Sequence, residues 1–325
     1  MCCCCQAAKP PNFQASGCVA FNTSVWYNAG MTKYNEITCK TACNKITSFL
    51  PYGWDLNIYR GCGHHCKYCF ALYSHKYMNS QDFFDEIFVK TNIAESLEKQ
   101  LSSKNWKREV INLGGVTDSY QPAEEKYKLM PEILKVLIKY KTPVTISTKS
   151  KLILRDYDLI DELSKVASVN IACTITTINE TVRELIEPNT SLSSERFEVL
   201  KEFSKTNAST GVHMMPVIPY LTDTYQNLDG LFMNAQKCGA CYVITDILNL
   251  RGQTRKVFFE FIKNKLPHLY GKISALYRNY FVDKEFRMQF KEKSKQLRIK
   301  YPLKNKRKIF VNQELEHLPQ QLSFF

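Results

Sequence analysis

Three cysteines lie within eight residues, at Cys62, Cys66 and Cys69, in the spacing C-x3-C-x2-C. Three thiolates on one tight loop can bind three corners of a four-iron cluster, which leaves the fourth iron open to a small molecule. Zinc is the alternative for clustered cysteines, but it usually takes a second C-x2-C half or paired histidines, and no such half follows at a suitable distance. The spacing therefore predicts a 4Fe-4S cluster that takes part in chemistry.

The same loop resembles that of the radical S-adenosylmethionine (SAM) enzymes, because the aromatic Tyr68 stands just before the third cysteine. In that superfamily the open iron binds SAM, and one electron from the cluster cleaves SAM to a 5'-deoxyadenosyl radical. The resemblance therefore implies two cofactors, a 4Fe-4S cluster and SAM. It also implies a reducing electron donor as a partner.

Further motifs over residues 38 to 250 are similar to those of the spore-photoproduct-lyase-like family within this superfamily. They occur in the order of that family and lie in separate parts of the chain. The motifs are Pro51–Cys62, Cys69–Ala71, Val116–Pro122, Thr148–Ser150, Leu154–Asp156, Ile186–Pro188 and Pro216–Pro219.

This resemblance assigns part of the SAM site to the cluster loop and to the turn after the second strand. Tyr68 would flank the adenine. The Gly114-Gly115 turn would receive the amino group of SAM, since glycine lets the backbone approach a ligand closely. Thr117 and Asp118 follow directly and would hydrogen-bond the same end of SAM. The alternative for Asp118 is a charged loop residue that binds no ligand.

Three charged residues further along the chain match the family as well. Lys149 corresponds to a lysine proposed to bind the methionyl carboxylate of SAM, a role that suits the point charge of its ammonium group. The alternative is a charged residue at the rim of the site that binds no ligand. Glu187 and Arg196 match the Glu-Pro to Arg spacing of the family. They are either a ribose contact and its partner or an ion pair that braces the loop.

The chain departs from the namesake lyase at two positions. The lyase carries a cysteine hydrogen donor at the end of its second strand, whereas Leu113-Gly-Gly-Val116 stands here. The tyrosine that follows the third cluster cysteine in the lyase is Phe70. Repair of the same lesion by the same route is therefore doubtful. Tyr120 is a weak candidate for a redox-active catalytic group, and a buried packing role fits it equally well.

Short apolar strands alternate with helical stretches from Trp54 onward, which is the pattern of a parallel α/β sheet or barrel. Six such units predict a partial (β/α)6 TIM-like barrel, open on one side, with its chemistry at the carboxyl ends of the strands. The predicted strands are 55–59, 110–114, 143–148, 169–175, 211–217 and 241–247. The predicted helices are 91–103, 124–140, 156–166, 194–207 and 227–238.

Three regions are predicted along the chain. Residues 1–37 are interpreted as a poorly ordered extension, with Cys2–Cys5 as a leader and Met31 as an alternative start. Residues 38–250 form the radical SAM core domain. Residues 251–325 form a basic helical extension and tail, with 18 Lys and Arg against 6 Asp and Glu.

The basic extension favours DNA as a partner, because lysines neutralise phosphates and interleaved aromatic rings stack on bases. A pair of amphipathic helices with a solvated basic face is the alternative. The aromatic residues concerned are Tyr277, Tyr280, Phe281, Phe286, Phe290 and Tyr301.

The last five residues, Gln321–Phe325, resemble the short peptide by which bacterial replication and repair proteins dock on the DNA sliding clamp. Gln321 would hydrogen-bond, while Leu322, Phe324 and Phe325 would fill an apolar groove. The alternative is an apolar tail that packs on its own domain.

The 13 cysteines do not indicate a secreted disulfide protein, because their number is odd and the densest group has cluster spacing. No apolar run is long enough to span a bilayer and the amino terminus does not follow the order of a signal peptide, so a cytoplasmic location is expected. Cys238 and Cys241 fit half of an auxiliary cluster or, more simply, a structural pair. Cys173 is predicted to face the core.

Taken together, the sequence predicts a radical SAM enzyme of the lyase-like kind that abstracts hydrogen from a substrate, with DNA lesion repair as the leading role. Radical modification of a protein, an RNA or a small molecule is the first alternative. A DNA-associated iron-sulfur sensor without turnover is the second.

Overall fold

The computed structural model describes residues 18–25, 32–46, 51–80 and 82–303. The predicted leader Cys2–Cys5, the alternative start Met31 and the predicted docking peptide Gln321–Phe325 lie outside these residues. In chain order the strands are β1 Cys18–Val25, β2 Lys33–Cys39, β3 Cys43–Lys45, β4 Trp54–Leu56, β5 Tyr59–Arg60, β6 Glu86–Lys90, β7 Ile111–Leu113, β8 Val144–Thr148, β9 Val169–Thr174, β10 Ser209–Val217 and β11 Tyr242–Ile247.

Six parallel strands form the main sheet, and they lie side by side in chain order as β4-β7-β8-β9-β10-β11. The short β3 pairs antiparallel with β4 and ends the sheet on that side. Each of the six predicted strands coincides with one of these parallel strands. The predicted α/β fold of the partial-barrel type is therefore confirmed.

The helices cover the outer face of this sheet. In chain order they are α1 Ile93–Leu101, α2 Ala123–Tyr127, α3 Leu129–Lys139, α4 Tyr157–Val166, α5 Glu180–Ile186, α6 Ser193–Phe203, α7 Tyr225–Lys237, α8 Gly252–Lys265, α9 Pro267–Leu276 and α10 Lys284–Lys300. Two 3-10 segments, Phe70–Met78 and Lys151–Asp156, follow the cluster loop and β8.

The core lies between the helices and the strands. All six residues of β9 are buried, and its Val169, Ile171 and Cys173 join the main apolar cluster. Cys173 is thus a core residue, as its place in the strand predicts. The helical side of this core is formed by apolar rows such as Ile133, Leu134 and Leu137 of α3, which are fully buried.

The predicted helix 124–140 is in fact two helices that break at Lys128, whose φ is 49°. The carboxylate of Glu124 explains the break, because it accepts hydrogen bonds from the backbone N–H groups of Leu129 and Met130 at 3.1 and 3.0 Å. These donors would otherwise be unsatisfied at the start of α3. The short α5, which the sequence analysis does not predict, begins at the Asn179 cap.

A second sheet of four strands, in the order β1-β2-β6-β5, lies beside the barrel. β1 and the first five residues of β2 fall within residues 1–37, the segment that the sequence analysis interprets as a poorly ordered extension. The pairing of β2 explains why the sequence analysis does not predict this sheet. β2 pairs with β6 over Lys33–Ile37 and Glu86–Lys90, about fifty residues further along the chain. A local sequence pattern does not reveal such a distant partner.

The helices α8, α9 and α10 pack on one another or on neighbouring elements, and hydrogen bonds join them to β11 and to the residue after it. The Tyr277 hydroxyl donates to the Leu248 carbonyl at 2.8 Å, and Arg298 donates to the Val243 carbonyl at 2.7 Å. Near the other side of the barrel, the Thr254 hydroxyl of α8 donates to the Cys69 carbonyl at 2.9 Å. The extension therefore reaches from β11 to the cluster loop. None of the described helices is long and apolar enough to cross a bilayer.

Candidate active site

The loop that carries the three cysteines follows β5 and begins with a glycine that no other residue can replace easily. Gly61 has φ of +86°, and a Cβ there would lie 2.7 Å from the Glu86 carbonyl oxygen. The Cys62 N–H then donates to the Phe83 carbonyl at 3.0 Å. The start of the loop is therefore fixed against the backbone that leads into β6.

The three thiols fit an iron-sulfur cluster. Cys62 and Cys66 are buried and Cys69 is partly exposed, and none is in a disulfide. The Cys69 N–H donates to the Cys66 carbonyl at 3.2 Å, which closes the loop between these two cysteines. Burial raises the pKa of Cys66 to about 12, with Lys149 opposing that rise. No described group of three His, Cys, Asp or Glu side chains is arranged around a single metal ion, whereas in a cluster each cysteine binds a different iron.

Two amides that the sequence analysis does not single out hold the cluster loop in shape. Gln121 is fully buried; it accepts from the Gly63 N–H at 2.8 Å and donates to the Gly61 carbonyl at 3.1 Å. Asn189 donates to the Gly63 carbonyl at 2.9 Å from the loop after α5. Gln121 lies inside a motif of the sequence analysis, but nothing local indicates which backbone groups it binds.

Asp118 is the centre of the hydrogen bonding at the ends of β7 and β8. One carboxylate oxygen accepts from the Tyr120 N–H at 2.9 Å and the Thr148 hydroxyl at 2.8 Å. The other accepts from the Lys149 N–H at 2.9 Å and faces Nε2 of His64 at 3.1 Å. Protein groups therefore bind both oxygens, which favours a positioning role for Asp118, and its predicted direct contact with SAM stays a prediction.

His64 lies between two acceptors inside the cluster loop. Its Nδ1 is 2.7 Å from the Asn189 carbonyl oxygen and its Nε2 faces the Asp118 carboxylate. This buried imidazole joins three loops: the cluster loop, the loop after β7 and the loop after α5.

A pH dependence of folding follows from Asp118. Burial raises the pKa of this carboxyl, but the charges and hydrogen bonds of His64, Lys149 and Tyr120 outweigh burial and hold the pKa at about 2. A depressed pKa stabilises the folded state above the ordinary carboxyl pKa near 4, by about 2 kcal/mol, and this contribution is lost as the pH falls from about 4 towards 2.

We therefore expect the difference in unfolding free energy between the wild type and Asp118→Asn to be largest at neutral pH. It should shrink as the pH falls from about 4 towards 2, as measured by urea titration of the iron-free protein at several pH values. A difference that stays constant over this range would contradict the linkage.

The two glycines of the turn after β7 make close contacts within the protein itself. Gly114 has φ of +87° and donates to the Leu56 carbonyl at 2.9 Å. A Cβ on Gly115 would overlap the carboxylate of Asp55, which is buried beside it. The Thr117 hydroxyl donates to the Gly61 carbonyl at 2.7 Å, which ties this turn to the cluster loop. The contacts of these residues with SAM stay predictions.

Lys149 directly follows β8, and its side chain lies beside Tyr68 of the cluster loop. Its Nζ lies 5.9 Å from the centre of the Tyr68 ring and makes no hydrogen bond or ion pair to another described residue. Burial lowers the pKa of Lys149, but the neighbouring Cys66 and Glu187 outweigh that effect and raise it. The lysine is therefore a cation at neutral pH that is available to bind a carboxylate beside the cluster loop.

Glu187 and Arg196 form a fully buried ion pair at 2.5 Å. The other oxygen of Glu187 accepts from the Tyr68 hydroxyl and from the Thr176 hydroxyl. Arg196 also donates to the Thr174 carbonyl at 2.8 Å. Of the two alternatives in the sequence analysis, this geometry favours the ion pair that braces the loop, because both oxygens of the fully buried Glu187 already accept hydrogen bonds from protein groups.

The phenol of Tyr120 lies away from the cysteines. It is fully buried, and burial and the nearby Asp156 carboxylate raise its pKa well above the ordinary value, with a smaller contribution from Glu124. Arg155 bridges Glu124 and Asp156 at 2.6 and 2.8 Å. These surroundings favour the packing role that the sequence analysis left open for Tyr120.

The remaining cysteine pair shows no sign of a second cluster. Cys238 is buried and its thiol donates to the Ala235 carbonyl at 3.3 Å, which is a local contact at the end of α7. Cys241 is partly exposed. Within the described ranges, no additional group of cysteines accompanies this pair, which favours the structural alternative.

Comparison with known protein sequences agrees with an iron-sulfur site at these cysteines. Residues 56–228 match the profile of the Radical SAM superfamily. An uncharacterized protein of Mycobacterium tuberculosis (strain ATCC 25618 / H37Rv) is 34% identical over 276 residues, which cover 83% of this chain and 81% of the relative. An uncharacterized protein of Methanocaldococcus jannaschii is 28% identical over 67% of this chain and 78% of its own length.

Solved structures of spore photoproduct lyase share the fold. The lyase in complex with dinucleoside spore photoproduct superposes with a TM-score of 0.61 at 12% identity, covering 86% of this chain and 82% of the lyase. A mutant of that lyase with bound AdoMet and the same dinucleoside gives a TM-score of 0.57 at 11% identity, covering 82% and 79% of the two chains. At such low identity the likeness concerns the fold alone.

Proposed function

Since the chain belongs to the radical SAM superfamily and therefore uses a 4Fe-4S cluster and SAM, we propose that it is a lyase-like enzyme that abstracts hydrogen from a DNA lesion. When bound, the cluster and SAM would together supply the radical chemistry that removes a hydrogen atom from the substrate. Cys62, Cys66 and Cys69 would hold the cluster. Lys149 would bind the SAM carboxylate, because it is an unpaired cation among the described residues beside those thiols.

The single observation that carries the choice of substrate is a group of arginines and aromatic rings at the carboxyl end of the barrel. We call it the arginine-aromatic surface and define it as Tyr220, Arg251, Tyr280, Phe281 and Arg287. The Arg251 guanidinium lies 4.7 Å from the centre of the Tyr280 ring and 5.1 Å from that of Phe281, and Arg287 lies 5.4 Å from Phe281. The rings of Tyr280 and Phe281 are more than one third exposed.

This surface lies at the same end of the barrel as the cluster loop. Tyr220 follows β10 and Arg251 follows β11, and parallel strands place such loops together at their carboxyl edge. Three residues after Arg251, Thr254 hydrogen-bonds the Cys69 carbonyl. A strand of nucleic acid held here by phosphate contacts and base stacking would therefore lie near the radical chemistry.

The six aromatic residues of the extension differ in exposure. Tyr277 and Phe290 are buried in the packing of the extension, so they do not stack on bases as the sequence analysis expects, and Phe286 and Tyr301 are partly buried. Tyr280 and Phe281 are exposed and remain suitable. The surrounding charge is strongly positive, with 14 Lys and Arg against 4 Asp and Glu over residues 251–303.

The function is tested by anaerobic reconstitution of the cluster, reduction in the presence of SAM, and chromatographic measurement of 5'-deoxyadenosine. We expect formation of this product to rise when UV-irradiated DNA is added and to stay low with unirradiated DNA of the same sequence. Equal product with both would retain the enzyme but reject damaged DNA as its substrate. No product from a protein with an intact cluster would favour the non-catalytic sensor.

A second measurement tests the arginine-aromatic surface directly. We expect Arg251→Gln/Arg287→Gln to weaken binding of a single-stranded oligonucleotide at least about tenfold and to reduce the slope of log affinity against log salt by about 2. Fluorescence anisotropy at several salt concentrations measures both quantities. The control is Lys201→Gln/Lys205→Gln, on α6 and just after it, which removes the same charge from the outer side of the barrel. Equal losses in both variants would mean that only net charge matters.

A further inference from the structure

A group of polar side chains lies inside the barrel and is not used by the cluster or by the proposed SAM contacts. We call it the lumen cluster and define it as Ser147, Asn170, His213 and Tyr242, from β8, β9, β10 and β11. The parallel register places Thr145 beside Asn170 and Gly211 beside Tyr242. Because side chains alternate along a strand, these residues face away from the helix-covered side, where Ile171 and Cys173 are buried.

The members of the lumen cluster contact one another across four strands. Asn170 donates through its amide to the Tyr242 hydroxyl at 2.9 Å and to the Thr145 hydroxyl at 3.0 Å. The Tyr242 oxygen is 3.4 Å from Nε2 of His213, and the Ser147 oxygen is 3.5 Å from Nδ1. The last two distances are at the long limit of hydrogen bonding, which leaves these groups able to exchange partners.

One polar atom of this cluster lacks a partner. Asn170 is only 8% exposed. Its side-chain oxygen is buried and accepts no hydrogen bond from another described residue. A buried amide oxygen without a donor costs free energy, and it calls for a donor from a ligand. The orphan acceptor therefore points to a molecule with an N–H group in the lumen.

Gly211 makes room for this arrangement. A Cβ at this position would overlap the ring of Tyr242, so the ring lies directly against the glycine backbone. The glycine thereby lets a large phenol lie along the barrel wall instead of closing the lumen. Ser147, His213 and Tyr242 each keep part of their surface exposed.

Strand pairing and a hydrogen bond connect the lumen cluster with the brace behind the loop that carries the three cysteines. His213 pairs in register with Thr174, and the Thr174 carbonyl accepts a hydrogen bond from Arg196 of the brace that holds Tyr68. His213 is thus paired directly with the strand residue that Arg196 contacts. A group bound at the lumen cluster would lie between the floor of the barrel and the radical site.

We propose that the lumen cluster binds the polar edge of a single nucleobase that presents a ring N–H beside a carbonyl oxygen. The Asn170 oxygen would accept from the ring N–H, while the Tyr242 hydroxyl or the His213 ring would donate to the carbonyl. Enzymes that act on one base commonly hold it outside the stack in this way. The inference rests on the proposed function, because a nucleic acid on the arginine-aromatic surface would deliver the base.

Photo-crosslinking tests this placement without relying on turnover. The probe is a single-stranded oligothymidylate that carries one 4-thiothymidine, which keeps its ring N–H, and it is irradiated with the reconstituted protein. We expect peptide mapping to find adducts within residues 209–217 or 242–247. Adducts confined to the peptides of Tyr220, Tyr280 and Phe281 would overturn the inference and leave the proposed function standing. An oligonucleotide that does not bind at all would overturn both.

Two variants sharpen this test. We expect Tyr242→Phe, which keeps the ring on Gly211 and removes only the hydroxyl, to lower the yield of lumen adducts about fivefold. Asn170→Ser removes the orphan oxygen and should act in the same direction. Binding of the oligonucleotide in fluorescence anisotropy should change little in either folded variant, because the arginine-aromatic surface is intact. Unchanged adduct yields in both variants would overturn the inference.

Discussion

Replacing Cys66 with alanine is expected to abolish both the iron-sulfur cluster and the cleavage of SAM. The remaining thiols, Cys62 and Cys69, leave the cluster two protein ligands instead of three, and the bound cofactor then has no stable position. After anaerobic reconstitution we expect near-complete loss of bound iron and sulfide, and no 5'-deoxyadenosine above background. Iron analysis, visible absorption and product chromatography measure these losses.

Cys241→Ala provides the matched control for that experiment. It removes a thiol of similar size from outside the cluster loop, so iron content and SAM cleavage should stay close to those of the wild type. If Cys66→Ala retained both the cluster and the product, the ligand assignment would be wrong. If Cys241→Ala lost them as well, the pair at Cys238 and Cys241 would have to take part in cluster binding.

The second large effect is expected from the buried pair of Glu187 and Arg196. Arg196→Met keeps much of the side-chain volume but leaves the Glu187 carboxylate buried without its cation. Breaking a buried pair in this way costs about 3–5 kcal/mol. We therefore expect the unfolding free energy of the iron-free protein to fall by about that amount in a denaturant titration.

The double variant Glu187→Gln/Arg196→Met separates the charge from the packing. It removes the uncompensated carboxylate, so it should recover part of the stability that Arg196→Met loses. A double variant that is no more stable than the single one would mean that loss of the Arg196 hydrogen bonds, not the buried charge, dominates the effect.

The six parallel strands were predictable because each carries its own apolar run and its own flanking turn. Val169–Thr174, for example, is apolar enough to be recognised without its neighbours. The cluster cysteines were predictable for the same reason, since their ligand spacing is local. Lys149 is an intermediate case: the strand alternation places it at the rim, but the family resemblance is needed to connect it with SAM.

The residues that shape the site were not predictable in the same way. Gln121, Asn189 and His64 act on loop atoms that are distant along the chain, and an amide or imidazole has no spacing that indicates its partner. For Glu187 and Arg196 the spacing allowed two roles, and only the direction of both carboxylate oxygens favours one. The small sheet was missed because β2 and β6 are separated by the cluster loop itself.

The hydrogen bond between Thr254 and the Cys69 carbonyl has a consequence for where a minimal enzyme ends. The superfamily profile stops at residue 228, but Thr254 and the neighbouring Val257 of α8 lie against the loop that carries Cys62 and Cys69. A chain cut after β11 would leave that carbonyl and those apolar side chains open to water. The segment that encloses the cluster loop is therefore longer than the superfamily profile, and a chain truncated at the end of that profile would lose one wall of the cysteine site.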